Sequence, residues 1–220
     1  GEGYCEIPAD IVISTAPFKD MVLSLDELDY ETKTLAAQLQ FRNTILVYVE
    51  IESKMFEDNW IYVHSKNIQT GRITNFANWT KDLRCGRDTS ILCLEYWAND
   101  NESLWNFEDE KLIAIACQDL LDSELVKNDK QIKQAKVYKI HKSYPVYQKG
   151  YKEGLNKIYN ALDEFKDLYF IGRGGAFKYN NQDHSLLMGL LCADKILGAS
   201  NPNLWNTNTD YDYQEGAKSV

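Results

Sequence analysis

Between Phe41 and Ile51 the side chains alternate, with Ile45, Val47, Val49 and Ile51 on one side and Leu46, Tyr48 and Glu50 on the other. A period of two belongs to an extended strand, and β-branched residues suit it. The run therefore requires a sheet, and a sheet requires neighbours. Trp60 to His64 and Arg72 to Phe76 read as two short strands, joined through Lys66-Asn-Ile-Gln-Thr-Gly71 as a hairpin. Ser90 to Trp97 and Ala135 to His141 are further strands.

Helical spacing interrupts this series once. Glu108 to Leu121 places Leu112, Ile113, Ala116 and Leu120 at helical intervals, after a first turn of Glu108, Asp109 and Glu110 that favours a helix N-terminus. Outside the central region the pattern changes. Asp10-Ile-Val-Ile-Ser-Thr-Ala-Pro17 is a short buried strand stopped by proline, and Ser24 to about Gln40 is polar and helical. Tyr151 to Phe165 is an amphipathic helix with Leu155, Ile158, Tyr159, Leu162 and Phe165 on one side. Leu168 to Ile171 is a buried strand, Ser185 to Leu197 a third helix, and the last twenty residues an irregular tail. The expected class is α+β: a central mixed or mainly antiparallel sheet with flanking helices.

Composition narrows the function. The chain has 220 residues and a formal net charge of -9, a balance that repels phosphate backbones, so no nucleic-acid partner is expected. Apolar runs such as Ser185 to Leu197 are short and carry Asp194 and Lys195, which gives no membrane span. The five cysteines (Cys5, Cys85, Cys93, Cys117, Cys192) form no Cys-x-x-Cys pair and suit free thiols in a reducing, cytoplasmic setting. Asn78-Trp-Thr80 and Asn101-Glu-Ser103 match a glycosylation pattern that is short enough to occur by accident. His64, His141 and His184 stand apart from cysteines and paired carboxylates, so no metal site is expected. The opening Gly1-Glu-Gly-Tyr-Cys5, with no initiator methionine, reads as a cut inside a larger protein or as a processed N-terminus.

Leu168 to Leu197 reads strand, glycine turn, polar loop, helix. Gly172, Gly174 and Gly175 allow the backbone to approach a ligand closely, and a helix starting near Asp183-His184-Ser185 would offer N–H groups to an electron-rich partner. The plainer reading is a connecting turn followed by a helix capped by Asp183 or Ser185. It is no dinucleotide fingerprint, because Gly172-x-Gly174-x-x-Phe177 lacks the third glycine.

The run Ile171-Gly-Arg-Gly-Gly-Ala-Phe-Lys-Tyr-Asn-Asn-Gln-Asp-His-Ser185 resembles the Gly-Arg-x-Gly-x-x-x-Tyr-x-x-x-Asp element of UDP-galactopyranose mutases and of related FAD-dependent oxidoreductases of the amine oxidase and protoporphyrinogen oxidase superfamily. Tyr144-Pro-Val-Tyr147 and Gly150-Tyr151 resemble the Pro-x-Tyr-x-x-Gly-His stretch that precedes it there, with Tyr151 where many members have histidine. Asp10 to Pro17 resembles the strand by which such chains return to the flavin domain.

The resemblance implies a division into a return strand and connector (1–30), a substrate domain (31–150), a helix plus flavin-contacting strand-turn-helix (151–200) and a tail (201–220). It implies FAD as cofactor of the full-length protein. Gly172, Arg173, Gly174 and Gly175 would line the flavin, with Arg173 near its pyrophosphate or ring edge. Tyr179 and Asp183 would close over the ribityl chain, and the helix beginning at His184 and Ser185 would point at the flavin O2 side. A Gly-x-Gly-x-x-Gly strand-turn-helix, which such enzymes need for the ADP half of FAD, does not occur in this sequence. The chain is thus expected to be a C-terminal fragment of an FAD-dependent oxidoreductase, inactive alone, whose partner is the N-terminal FAD-binding part of the same protein. Alternatives are a mutase-like enzyme acting on a sugar nucleotide and a non-catalytic carbohydrate- or protein-binding module. The substrate is a small molecule, a sugar nucleotide or an amine. Arg42, Arg72, Arg84 and Arg87 are candidates to meet an anionic substrate or are solvated surface arginines. Trp60, Tyr62, Trp79, Tyr96, Trp97 and Trp105 are mostly core, and some could line a substrate face.

Overall fold

The computed structural model of the chain describes residues 5–52, 56–80, 82 and 89–207. In chain order its elements are β1 (Val12–Ser14), α1 (Phe18–Ser24), α2 (Tyr30–Gln38), β2 (Gln40–Ile51), β3 (Trp60–Tyr62), β4 (Arg72–Asn75), α3 (Phe76–Trp79), β5 (Ser90–Ala98), α4 (Asp109–Asp122), β6 (Ile132–Val146), α5 (Tyr151–Leu162), β7 (Leu168–Phe170), α6 (Gly172–Gly175) and α7 (Gln182–Ile196). They fall into two units, one of Arg42–Ser143 and one of Gly1–Phe41 with Tyr144–Val220.

The Arg42–Ser143 unit is built on a five-stranded sheet ordered β3-β4-β5-β2-β6. Strand β2 pairs antiparallel with β5, matching Ile45 to Tyr96, Val47 to Leu94 and Val49 to Leu92. β3 and β5 each pair antiparallel with β4. The period of two thus lines the apolar set on one face, where α4 covers it with Leu112, Ala116 and Leu120, all fully or almost fully buried. The opposite face carries Tyr48 beside Cys93 and Leu46 beside Glu95. This is the α+β arrangement that the alternation in β2 requires.

Helix α2 and strand β6 differ from their sequence reading. The stretch from Ser24 to Gln40 is interrupted after α1, and α2 starts afresh because the Asp29 carboxylate caps it, accepting from Thr32 N at 2.7 Å and Thr32 Oγ1 at 3.1 Å. The Thr32 N–H bond draws the Asp29 carboxyl below its usual range. Strand β6 runs longer at both ends than Ala135 to His141, passing through Pro145. Proline is tolerated because β6 is an edge strand. Lys142 sits at φ 54 and its N–H is held by Asn43 Oδ1 at 2.9 Å.

In the other unit β1 and β7 form a two-stranded parallel sheet, with Val12 opposite Leu168, Ile13 opposite Tyr169 and Ser14 opposite Phe170. Phe18 of α1 lies at the centre of an aromatic cluster, edge-on to Tyr159 at 5.7 Å, Phe170 at 5.5 Å and Trp205 at 6.2 Å. Helix α5 turns Leu155, Ile158, Tyr159 and Leu162 into this core. Lys19 Nζ caps the end of α2 through the carbonyls of Ala37 and Leu39. Among the described residues, no helix is long and apolar enough to cross a membrane.

Candidate functional site

The glycine run is a single helical turn, α6, set directly after β7. Ile171 N–H donates to the Ser14 carbonyl at 3.1 Å, which extends the β1–β7 ladder to the edge of the turn. Gly172 then takes φ 78, a left-handed value that glycine adopts without a Cβ penalty. Gly175 is pressed against β1. A Cβ there would lie 2.7 Å from the Ser14 carbonyl oxygen and 2.9 Å from Thr15 Cα. Gly172 is different: a Cβ would meet nothing within 4 Å, and at Gly174 the nearest atom would be 3.8 Å away. Gly175 therefore serves packing, whereas Gly172 and Gly174 leave the backbone bare on an open side.

Arg173 is committed to the loop that follows. Its Nε and Nη2 both donate to the Asn180 carbonyl, at 2.8 and 2.6 Å. Its guanidinium also lies over the rings of Tyr144, at 4.7 Å, and Tyr179, at 5.3 Å, which stack on each other. Tyr179 is more than half exposed, and its N–H donates to Tyr147 Oη at 2.6 Å. Between them Phe177 is fully buried at φ 49, an uncommon angle for a large side chain. Contacts with Phe41 at 5.1 Å and Tyr147 at 6.1 Å hold it there. The loop is thus a shaped rim, with Arg173 as its clamp.

Helix α7 begins earlier than its sequence reading. Asn181 is the N-cap, rather than Asp183 or Ser185, and it forms a reciprocal capping box with His184. Nδ1 of His184 accepts from Asn181 N at 3.3 Å and lies 3.2 Å from Asp183 Oδ1. That nitrogen serves one partner at a time, accepting from Asn181 N–H when it carries no hydrogen and donating to Asp183 when it does. The single O–H of Ser185 has two acceptors in reach, Asn180 Oδ1 at 3.3 Å and the Asn181 carbonyl at 3.2 Å. So Gly172 to Gly175, Arg173 and Tyr179 converge on one rim, and Asp183, His184 and Ser185 occupy the first turn of α7 in capping contacts. Sequence reasoning did not assign roles to Asn180, Asn181, Tyr144 and Tyr147. Only the Tyr144-Pro-Val-Tyr147 spacing could have signalled any of them.

On the open face of the other unit, Arg72 is gripped by Glu95 through Nε–Oε1 at 2.7 Å and Nη2–Oε2 at 2.5 Å. A bidentate pair with a buried carboxylate neutralises this arginine as an anion receptor. Arg42 donates to the Trp97 carbonyl at 3.1 Å and lies 3.8 Å from Glu102. Arg84, Arg87 and Cys85 lie outside the described residues. The four described cysteines are free thiols.

Burial and the nearby Glu95 charge push the Cys93 thiol up to about 12. Burial, then the neighbouring Cys93, moves Tyr48 to about 12 as well. Cys93 should therefore resist iodoacetamide at about pH 8 while the exposed Cys5 reacts, as read by peptide mass mapping. Equal labelling of the two would contradict the packed sheet.

No protein-family model matches the chain. Among solved structures, reduced UDP-galactopyranose mutase superposes with a TM-score of 0.79 over 92% of this chain, at 22% identity. This chain carries part of the mutase fold. It spans 44% of the mutase chain. A protein of Exiguobacterium sp. 255-15 described as a protoporphyrinogen oxidase aligns with TM-score 0.59 over 76% of this chain and 36% of its own, at 19% identity. A protein of Pyrococcus furiosus aligns at 0.52 over 89% and 43%, at 12% identity. At these identities the likeness to the mutase and to the others is one of fold.

Proposed function

We propose that the chain supplies the substrate domain and one wall of the flavin site of an FAD-dependent enzyme of the UDP-galactopyranose mutase kind. The observation that carries this reading is the β1–β7 sheet. Parallel strands are ordinarily covered on both faces and joined by further strands, yet among the described residues this sheet has two. Ile13 is 49% exposed, and Ile11 and Val12 are 42% exposed. Helix α7 adds Leu186, Leu187 and Leu190, all exposed. Such surfaces suit a chain that meets the remaining part of the enzyme, an N-terminal segment bearing the ADP-binding strand-turn-helix.

The glycine turn fits the cofactor in one respect and departs in another. The bare backbone at Gly172 and Gly174 accepts close approach of a bulky ligand. Arg173, in contrast, is already occupied by Asn180, so its part is to fix the rim against which the ligand lies. FAD, when bound, would supply the reactive centre, and this chain's residues would position it and exclude water. The mutase reading is supported by fold likeness over 92% of the chain, against 76% for the oxidase-like neighbour. A small-molecule sugar nucleotide is the corresponding substrate, and an amine oxidase-like oxidoreductase is the second reading.

The full-length protein should be yellow and retain FAD through gel filtration. A colourless protein after FAD loading would remove the proposal. Isomerisation of a UDP-sugar only after reduction, without consumption of an electron acceptor, selects the mutase. Stoichiometric acceptor turnover selects the oxidoreductase.

A further inference from the structure

The apolar core of the Arg42–Ser143 unit lies wholly between Ile45 and Val137. The core around Phe18 draws on Phe18 to Phe41 and on Tyr147 to Trp205. Among the described residues no side chain belongs to both, although the chain passes between the units twice, after Phe41 and after Ser143. Roughly one hundred residues with a core of their own are an ordinary domain size. Such an inserted stretch must still hold its two ends together, at an entropic cost.

Polar groups inside the stretch itself do this. Ser143 Oγ donates to the Arg42 carbonyl at 3.0 Å, and Thr44 Oγ1 lies 2.6 Å from Ser143 Oγ. With the Ser143 proton committed to the carbonyl, Thr44 is the donor of that second bond. Asn43 contributes more. It is 2% exposed, stands opposite Ala98 in the sheet, and has both ends of its amide engaged. Oδ1 accepts from Lys142 N–H at 2.9 Å, and Nδ2 donates to Asp100 Oδ1 at 2.7 Å. One side chain of β2 thereby ties the returning β6 and the loop after β5. The same Asp100 oxygen lies 3.0 Å from His141 Nε2, which joins that loop to β6 a second time. Lys142 stands at φ 54, an unfavourable angle for a residue with a Cβ. Its bond to Asn43 is the structural return for that strain.

We propose that Arg42–Ser143 is a self-closing module: Asn43 clips its two ends, and it opens as one cooperative unit while the core around Phe18 stays folded. Proteins open in contiguous units of this kind. On the flavin reading the substrate domain is then the part that opens and the glycine rim the part that persists. The module itself requires neither a flavin nor that reading.

Calorimetry and urea unfolding of this chain, with amide exchange as the local readout, provide the test. Two transitions are expected, one followed by amides of β2 and β5 and the other by amides of α5 and β7. Asn43→Ala should lower the first midpoint by about 5 °C or more, as expected for losing a buried hydrogen-bond partner in a domain of this size. It should speed exchange at the Lys142 amide by about tenfold and leave the second midpoint in place. Asn43→Asp sets a second carboxylate against Asp100 and should be at least as damaging. The pair Asn43→Asp/Asp100→Asn restores the bond with donor and acceptor exchanged, and should recover most of the loss. A single transition for the whole chain overturns the module. Two transitions with the first unmoved by Asn43→Ala, or with no recovery in the exchanged pair, overturn Asn43 as its clip.

Discussion

Gly175→Ala should destabilise the unit containing β1 and β7 by about 3 kcal/mol, the upper end of what overpacking a close-packed site usually costs. The added methyl group would fall 2.7 Å from the Ser14 carbonyl oxygen and 2.9 Å from Thr15 Cα. Both are backbone atoms of a strand segment, so no side chain can swing aside. Relief would have to come from moving α6 off β1, and Ile171 N–H, bonded to the same Ser14 carbonyl, resists that. Two other glycines supply the contrast. Gly172→Ala meets no atom but must hold φ 78, at about 1–2 kcal/mol. Gly189→Ala, in α7 with open space around it, should be neutral or stabilising by about 0.5–1 kcal/mol. Urea midpoints combined with amide exchange at residues 12–14 and 168–177 give the ranking. If Gly175→Ala matches Gly189→Ala, the close approach is not there.

The glycine turn also shows where sequence legibility stops. A Gly-Arg-Gly-Gly run reads as a turn because glycine is among the weakest helix formers. It becomes α6 only because β7 delivers it against β1, a partner more than a hundred residues earlier in the chain. Alternation in β2 disclosed the sheet and its buried face, since the period of two is a local property. The break at Asp29 was readable in principle, as an Asp three residues before a bonded Thr32 N–H, but the polar run around it masked the second helix start. In the site, the glycines could be singled out as backbone. The work of Arg173 could not, because its acceptor is a main-chain carbonyl, and every residue has one. Side-chain type predicts what a group can do, and only the fold says what is near it.

Asp119 carries a signal of that intermediate kind. Leu112, Ala116 and Leu120 define the inward stripe of α4, and Asp119 falls on it, 3% exposed. A carboxylate near a helix C-terminus also faces the negative end of the dipole. Three bonds offset both penalties: Gln69 N–H at 3.0 Å, Thr70 N–H at 2.8 Å and Tyr96 Oη at 2.9 Å. Burial first, then the Asp119 charge, pushes the Tyr96 hydroxyl far above its ordinary range, so it stays protonated and donates.

Asp119→Ala would strand two backbone donors and a hydroxyl at once, with an expected loss of about 4 kcal/mol, the range for breaking a buried charged group from its partners. Asp119→Asn keeps one acceptor oxygen and should lose about 2 kcal/mol. Tyr96→Phe removes a single bond to a charged acceptor, about 1.5–3 kcal/mol. The Ala and Phe changes should be less than additive when combined, since both cut the Asp119–Tyr96 bond. Exchange at the Gln69 and Thr70 amides supplies a local readout, and it should accelerate in Asp119→Ala more than exchange in β2. Additive losses with unchanged Gln69 and Thr70 protection would mean that the loop between β3 and β4 is held by its own Thr70 and Gly71 bonds to the Glu95 carbonyl. Asp119 would then be a tolerated charge rather than the pin between helix and sheet.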